Sequence, residues 1–124
     1  MITDRDLQWL VDESRRYKLT CGYYLVIRAE WCDVTSGRPY GLFYGLILQD
    51  HDEHRILGFD NSHAFDGANV NDPFDHEHKA GKIGQRFRYD FTSAGQLFED
   101  FLDRVEKYCN SNNVNFEIED DIDE

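Results

Sequence analysis

Apolar positions recur with two periods along the chain, and together they predict two helices separated by a run of strands. Near the start, Leu7, Leu10 and Val11 stand at helical spacing with Trp9 beside them. Thr3 is a good N-cap for this helix, and Asp6 takes the capping-box position three residues on. Ile2 and Leu7 flank the cap as a hydrophobic staple. The helix is expected to fade near residues 17–19. Residues 21–33 (CGYYLVIRAEWCD) and 40–49 (YGLFYGLILQ) are rich in aromatic and β-branched types and read as strands. VTSGRP between them, with Gly37 and Pro39, is turn chemistry. After the polar turn DHDE at 50–53, HRILGFD at 54–60 reads as a third strand of an antiparallel meander.

The pattern then lapses. Residues 61–85 keep no apolar period and hold Gly67, Gly81, Gly84 and Pro73 together with His63, His76 and His78. A loop of this length inside a small domain is usually functional or mobile. RFRYDF at 86–91 alternates Arg86, Arg88 and Asp90 against Phe87, Tyr89 and Phe91, as a half-buried strand does. Ser93, with Gln96 at the capping-box position, opens the last helix. Leu97, Phe98, Phe101, Leu102, Val105, Tyr108 and Cys109 form one stripe along it. Such a stripe is far more often core than a partner-binding face. Residues 114–118 suit a short edge strand or the beginning of a tail.

The expected fold is therefore α+β: an antiparallel sheet of about four strands, with an N-terminal helix and a C-terminal amphipathic helix packed on it. Residues 1–118 are expected to form a single domain. Residues 119–124 are expected to be a solvated acidic tail, because a dense run of carboxylates cannot bury itself.

Composition narrows the function more than the fold. In 124 residues, 40% hydrophobic and 15% aromatic, there is material for one core. The net charge is −12, and the last eight residues carry six acids and no base, so half of it is local. An acidic surface repels phosphate backbones and argues against broad nucleic-acid or membrane binding, while leaving room for a small basic site or a basic protein partner. Cys21, Cys32 and Cys109 are odd in number and lack CxxC spacing, so reduced thiols of a cytoplasmic protein are expected rather than a disulfide or zinc framework. The N-terminus has no signal-peptide pattern, and no apolar run approaches the ~20 residues of a membrane span.

Three local features could carry chemistry. Strand 54–60 ends in Asp60, Asn61, Ser62 and His63, which can set a carboxylate, an amide and an imidazole at one rim of a sheet. In DHEHK, His76 and His78 share a side if the backbone is extended, and a pair of imidazoles can serve as general acid and base near neutral pH. Arg86 and Arg88, with Lys79, offer a cationic spot for a phosphate. Each has a plainer reading. Asp60 and Asn61 suit a strand-ending turn, two imidazoles alone fall short of a metal-ligand set, and arginines on an acidic surface find carboxylates. The gathering of these groups within about thirty residues is what suggests a site. No metal or cofactor is expected.

The ordered set of YGLFYGLIL, RILGFDNSH, DHEHK, YDF and SAGQLFEDFLDRVEKY resembles the TumE-like toxins of prokaryotic toxin–antitoxin modules. The features that carry the resemblance are Phe59-Asp60-Asn61, His76-x-His78, and Phe98 with Asp100 and Phe101, and the resembling segment covers residues 40–108. The resemblance implies a toxin that acts on RNA, with a cognate antitoxin as partner. On that reading Asp60, Asn61, His63, His76 and His78 form the reacting centre, and Lys79, Arg86 and Arg88 hold the phosphate. The charge of −12 supports a different class: an acidic inhibitor, immunity or antitoxin-like protein that covers a basic partner by charge mimicry. In that case the histidines are structural.

Overall fold

The computed structural model of the chain describes residues 2–62 and 75–122. In order, these form α1 (Asp4–Asp12), β1 (Arg15–Leu19), β2 (Tyr24–Trp31), β3 (Leu42–Gln49), β4 (Arg55–Asp60), β5 (His76–His78), β6 (Phe87–Arg88), α2 (Ala94–Ser111) and β7 (Ile118–Ile122). The strands make one antiparallel sheet in the order β6-β5-β4-β3-β2-β1-β7. The α+β class is as expected. The sheet, however, has seven strands among the described residues rather than about four.

The three additional strands have identifiable causes. α1 ends at Asp12, well before residues 17–19, and the chain turns at once into β1. That strand, RRYKL, is too polar to show a period. β5 lies inside the stretch read as loop, and its side chains are paired charges rather than apolar groups. β7 takes in residues 118–122, so the acidic end does not wholly trail into solvent but pairs with β1. The strand at 86–91 shortens to the two residues of β6.

Both helices pack on one face of the sheet. β3 alternates strictly, burying Leu42, Tyr44, Leu46 and Leu48. Leu97, Phe101, Val105 and Cys109 of α2 meet that face, with Leu7 and Leu10 of α1 in the same core. Phe101 is fully buried and meets Phe59 edge-on at 6.5 Å between ring centroids. The free thiols range from buried Cys109 to exposed Cys32. No described helix is long and apolar enough to cross a membrane.

Caps tie the helices together. The Thr3 side chain accepts the Asp6 amide at 3.1 Å. The Asp6 carboxylate does not close a box on its own helix. It accepts the Ala94 amide at 2.7 Å and the Gly95 amide at 3.0 Å, at the N-terminus of α2. There a negative charge satisfies otherwise orphaned donors and complements the helix dipole.

Truncating Phe101 to Ala is expected to cost about 3–5 kcal/mol, by lost burial and the cavity left behind. Asp6→Ala is expected to cost about 1 kcal/mol through the lost cap. Urea titrations of both variants measure these, and an Asp6→Ala stability equal to wild type would show that the inter-helix cap carries no weight.

Candidate functional site

β4 runs antiparallel to β5 with Asp60 opposite His76, Phe59 opposite Glu77 and Gly58 opposite His78. Paired residues point to the same face, and faces alternate along each strand. Phe59 points to the helices, so Glu77 does as well, and its carboxylate accepts Arg104 Nε of α2 at 3.0 Å. Asp60, His76 and His78 consequently lie together on the opposite face. Gly58 is required beside them because β3 comes so near that a Cβ would stand 2.7 Å from the Leu46 carbonyl oxygen.

The Asp60 carboxylate is the hub of this group. Its Oδ1 lies 2.8 Å from His76 Nε2 and accepts the Ser62 amide at 3.0 Å. Its Oδ2 lies 3.4 Å from His78 Nε2 and 3.7 Å from Arg55 Nη1. The two imidazoles meet edge to face at 4.8 Å. All three residues are nearly closed to solvent, with His76 at 1% exposure, His78 at 7% and Asp60 at 8%. Burial alone would raise the Asp60 carboxyl. Hydrogen bonds from His76 and then His78, the His76 charge and the Ser62 amide outweigh it and hold the carboxyl well below its usual range.

His78 is fixed from both ends. Its Nδ1 lies 2.8 Å from the Ile83 carbonyl oxygen, which can only accept, so Nδ1 carries the hydrogen. Its Nε2 then presents a lone pair to the cluster in the neutral ring, or a second hydrogen in the imidazolium. Asp60, His76 and His78 each offer one ligand atom, all within 4.8 Å of one another, and are the described residues best placed to hold a metal ion. Without one, the carboxylate accepts from His76, and from His78 when that ring is protonated.

The other expected site residues are dispersed. Asn61 is buried but serves the sheet: its Nδ2 donates to the Leu42 carbonyl at 2.7 Å, and its Oδ1 accepts the Tyr44 amide at 3.0 Å. In effect its side chain extends β4 along β3. His63 lies outside the described residues. Lys79 is exposed, with its Nζ 4.6 Å from the centre of the Phe87 ring. Arg86 is half-buried just before β6. Arg88 pairs across the strand with His76, but its guanidinium donates to Asp90 at 3.0 Å on the open surface. Among the described residues the guanidinium that reaches Asp60 is that of Arg55, which has no mark in the sequence as a site residue because it opens a strand five residues away.

A second polar group borders the cluster. The buried Tyr44 hydroxyl donates to Asp75 at 2.8 Å, and Tyr89 donates to Asp100 at 2.6 Å. Burial, and then the neighbouring carboxylate, push the Tyr44 phenol well above its usual value, so it remains a donor. Asp50, Asp52 and His54, another acid–imidazole group, only close the β3–β4 turn, where Asp50 accepts the amides of the other two.

The sequence model of the family described as Toxin TumE matches residues 3–109. No curated protein and no solved structure matches the chain.

Because the Asp60 carboxyl titrates lower in the folded chain than in the unfolded one, its pairing contributes stability that is fully present above the unfolded value of about 3.9. That contribution is lost as pH falls through the depressed folded value. Asp60→Asn is expected to lower the melting temperature at pH 6 and to flatten its decline below about pH 4. Parallel acid limbs for variant and wild type would remove Asp60 as the group responsible.

Proposed function

The chain belongs to the TumE toxin family, toxins of toxin–antitoxin systems, and from that premise we propose that it acts as a ribonuclease-type toxin restrained by a cognate antitoxin. The observation that carries the reading is the pair of imidazoles held on one carboxylate, His76 at 2.8 Å and His78 at 3.4 Å from Asp60. RNA offers a substrate suited to such a pair, because its 2′-hydroxyl can attack the adjacent phosphorus once a base takes its proton.

In this mechanism His78 is the base. In the neutral ring, whose hydrogen is committed from Nδ1 to the Ile83 carbonyl, the Nε2 lone pair accepts the 2′-hydroxyl proton. The 2′-oxygen forms a bond to phosphorus, the bond from phosphorus to the 5′-oxygen breaks, and the His76 imidazolium gives that leaving oxygen a proton. Asp60 orients the His76 ring through its 2.8 Å contact with Nε2. Arg55, 42% exposed and 3.7 Å from Asp60, stands where the phosphate would approach the nearly closed cluster. Lys79, Arg86 and Arg88 remain candidates for holding the flanking backbone. His63 and Asn61 complete the expected set, although the bonds of Asn61 to β3 favour a supporting role.

Inducible expression tests this directly. Wild type is expected to arrest growth, and His76→Ala/His78→Ala to lose toxicity while remaining folded by circular dichroism. Purified wild type is expected to leave 2′,3′-cyclic phosphate ends on RNA and to keep its activity in chelator. Loss of cleavage in chelator would transfer the chemistry to a metal at Asp60, His76 and His78. Harmless wild-type expression, with a basic protein co-purifying, would favour the acidic inhibitor instead.

A further inference from the structure

A cavity of about 510 Å3 opens beside the cluster. It touches the cluster's chain neighbours, Asn61 and Asp75, rather than Asp60 and His76 themselves. Backbone alternation explains this, since Asp75 and His76 project to opposite faces. The cavity is therefore a separate site joined to the histidine cluster through two adjacent-residue pairs, Asp60-Asn61 and Asp75-His76.

Its walls are aromatic. Tyr40 and Phe91 stand 5.8 Å apart between ring centroids, and Phe91 stacks on Tyr44 at 5.6 Å with 25° between the ring planes. Tyr44 is buried and Asp75 half-buried, which puts them at the floor. Tyr40, 45% exposed, and Arg88, exposed as well, stand at the mouth. Asp75 Oδ2 accepts the Tyr44 hydroxyl, and a carboxylate keeps further acceptor capacity beyond one such bond. Arg38, which also lines the cavity, donates from Nε to the Asn61 carbonyl at 3.1 Å and lies over the Phe43 ring at 5.4 Å.

The chemistry sorts the occupants. A carboxylate at the floor excludes the phosphate end of any ligand and selects a group that donates hydrogen bonds. Aromatic walls select a flat ring, and Arg88, paired with the lining residue Asp90 at 3.0 Å, keeps further guanidinium donors at the entrance for an anion. A volume near 500 Å3 falls within the range of small-ligand sites. We propose that this cavity is a nucleobase subsite: a base of single-stranded RNA stacks on Tyr40 and Phe91, its donor edge bonds to Asp75, and Arg38 and Arg88 face its phosphate. Guanine, with N1–H and the 2-amino group side by side, suits one carboxylate best. The assignment deepens the ribonuclease reading by giving it a base-recognising site on the other face of the β4–β5 edge from the histidine cluster, and its place in catalysis rests on that reading.

Mononucleotides separate the two claims, because they contain no internucleotide bond to cleave. The full chain is titrated calorimetrically with GMP, UMP and ribose 5-phosphate. GMP is expected to bind at least tenfold tighter than ribose 5-phosphate and more tightly than UMP. Tyr40→Ala, an exposed position that melting curves can check for folding, is expected to weaken GMP binding about tenfold, the order of effect of a lost stacked base. Asp75→Asn is expected to erase the preference for GMP over UMP. Equal binding of GMP and ribose 5-phosphate, or a GMP affinity unmoved by Tyr40→Ala, overturns the proposal even if RNA cleavage is intact. A preference unmoved by Asp75→Asn overturns the part given to the carboxylate. GMP binding that obeys these variants supports the subsite even if wild-type expression proves harmless.

Discussion

A carboxylate buried in a sheet must be paired, because removing an ionised group from water costs several kcal/mol unless charged or hydrogen-bonding partners replace the solvent. Asp60 imposes that demand at the end of β4, and the way it is met determines the neighbouring strand. His76 and His78 reach it only if β5 pairs with β4 in the observed register. A slip of one residue would turn both imidazoles towards the helices and Glu77 away from Arg104. Three residues of β5 thus satisfy charges on both faces of the sheet at once, which explains how so short and polar a strand holds its place. The outermost strand, β6, depends on it in turn.

At the other edge the same demand is met by composition. β1 carries Arg15, Arg16 and Lys18, and β7 carries Glu119, Asp120 and Asp121. The backbone of β7 pairs with that of β1, which brings to the sheet a segment too acidic to fold alone. A tail judged by its own charge looks solvated; judged against β1, it completes a sheet edge.

Legibility in the sequence followed the source of each element's stability. α2, β2, β3 and β4 are held by apolar burial, and their periods are visible in the chain. The caps at Thr3 and Ser93 were equally plain. β1, β5 and β7 show no apolar period: β1 pairs with the adjacent β2, β7 pairs with β1 from the other end of the chain, and β5 is held by Asp60 and Arg104. Asp6 shows the same limit at one residue. Its type and position announced a helix start, but the helix it caps begins 88 residues later, at Ala94. In the candidate site, the spacing of His76 and His78 suggested a shared face and Asp60 a companion. Nothing local could reveal that Asn61 would be taken up by the backbone of β3, or that Arg55 would be the adjacent cation.

The net charge bears on an RNA-directed reading differently at long and at short range. A field summed over the chain governs encounter at long range, beyond a Debye length of about 8 Å at physiological salt. Within that distance, individual groups decide. Arg38 and Arg88 line the cavity and Arg55 lies 3.7 Å from Asp60, whereas β7, with Glu119, Asp120 and Asp121 in its sequence, is the strand at the opposite edge of the sheet. The sheet therefore separates the charges by its own width. Its pleat then divides the work again, sending Asp60 and His76 to one face while their chain neighbours Asn61 and Asp75 line the cavity. Two adjacent-residue pairs join the histidine cluster to the cavity without a loop between them, so any change in β4–β5 register would displace both together.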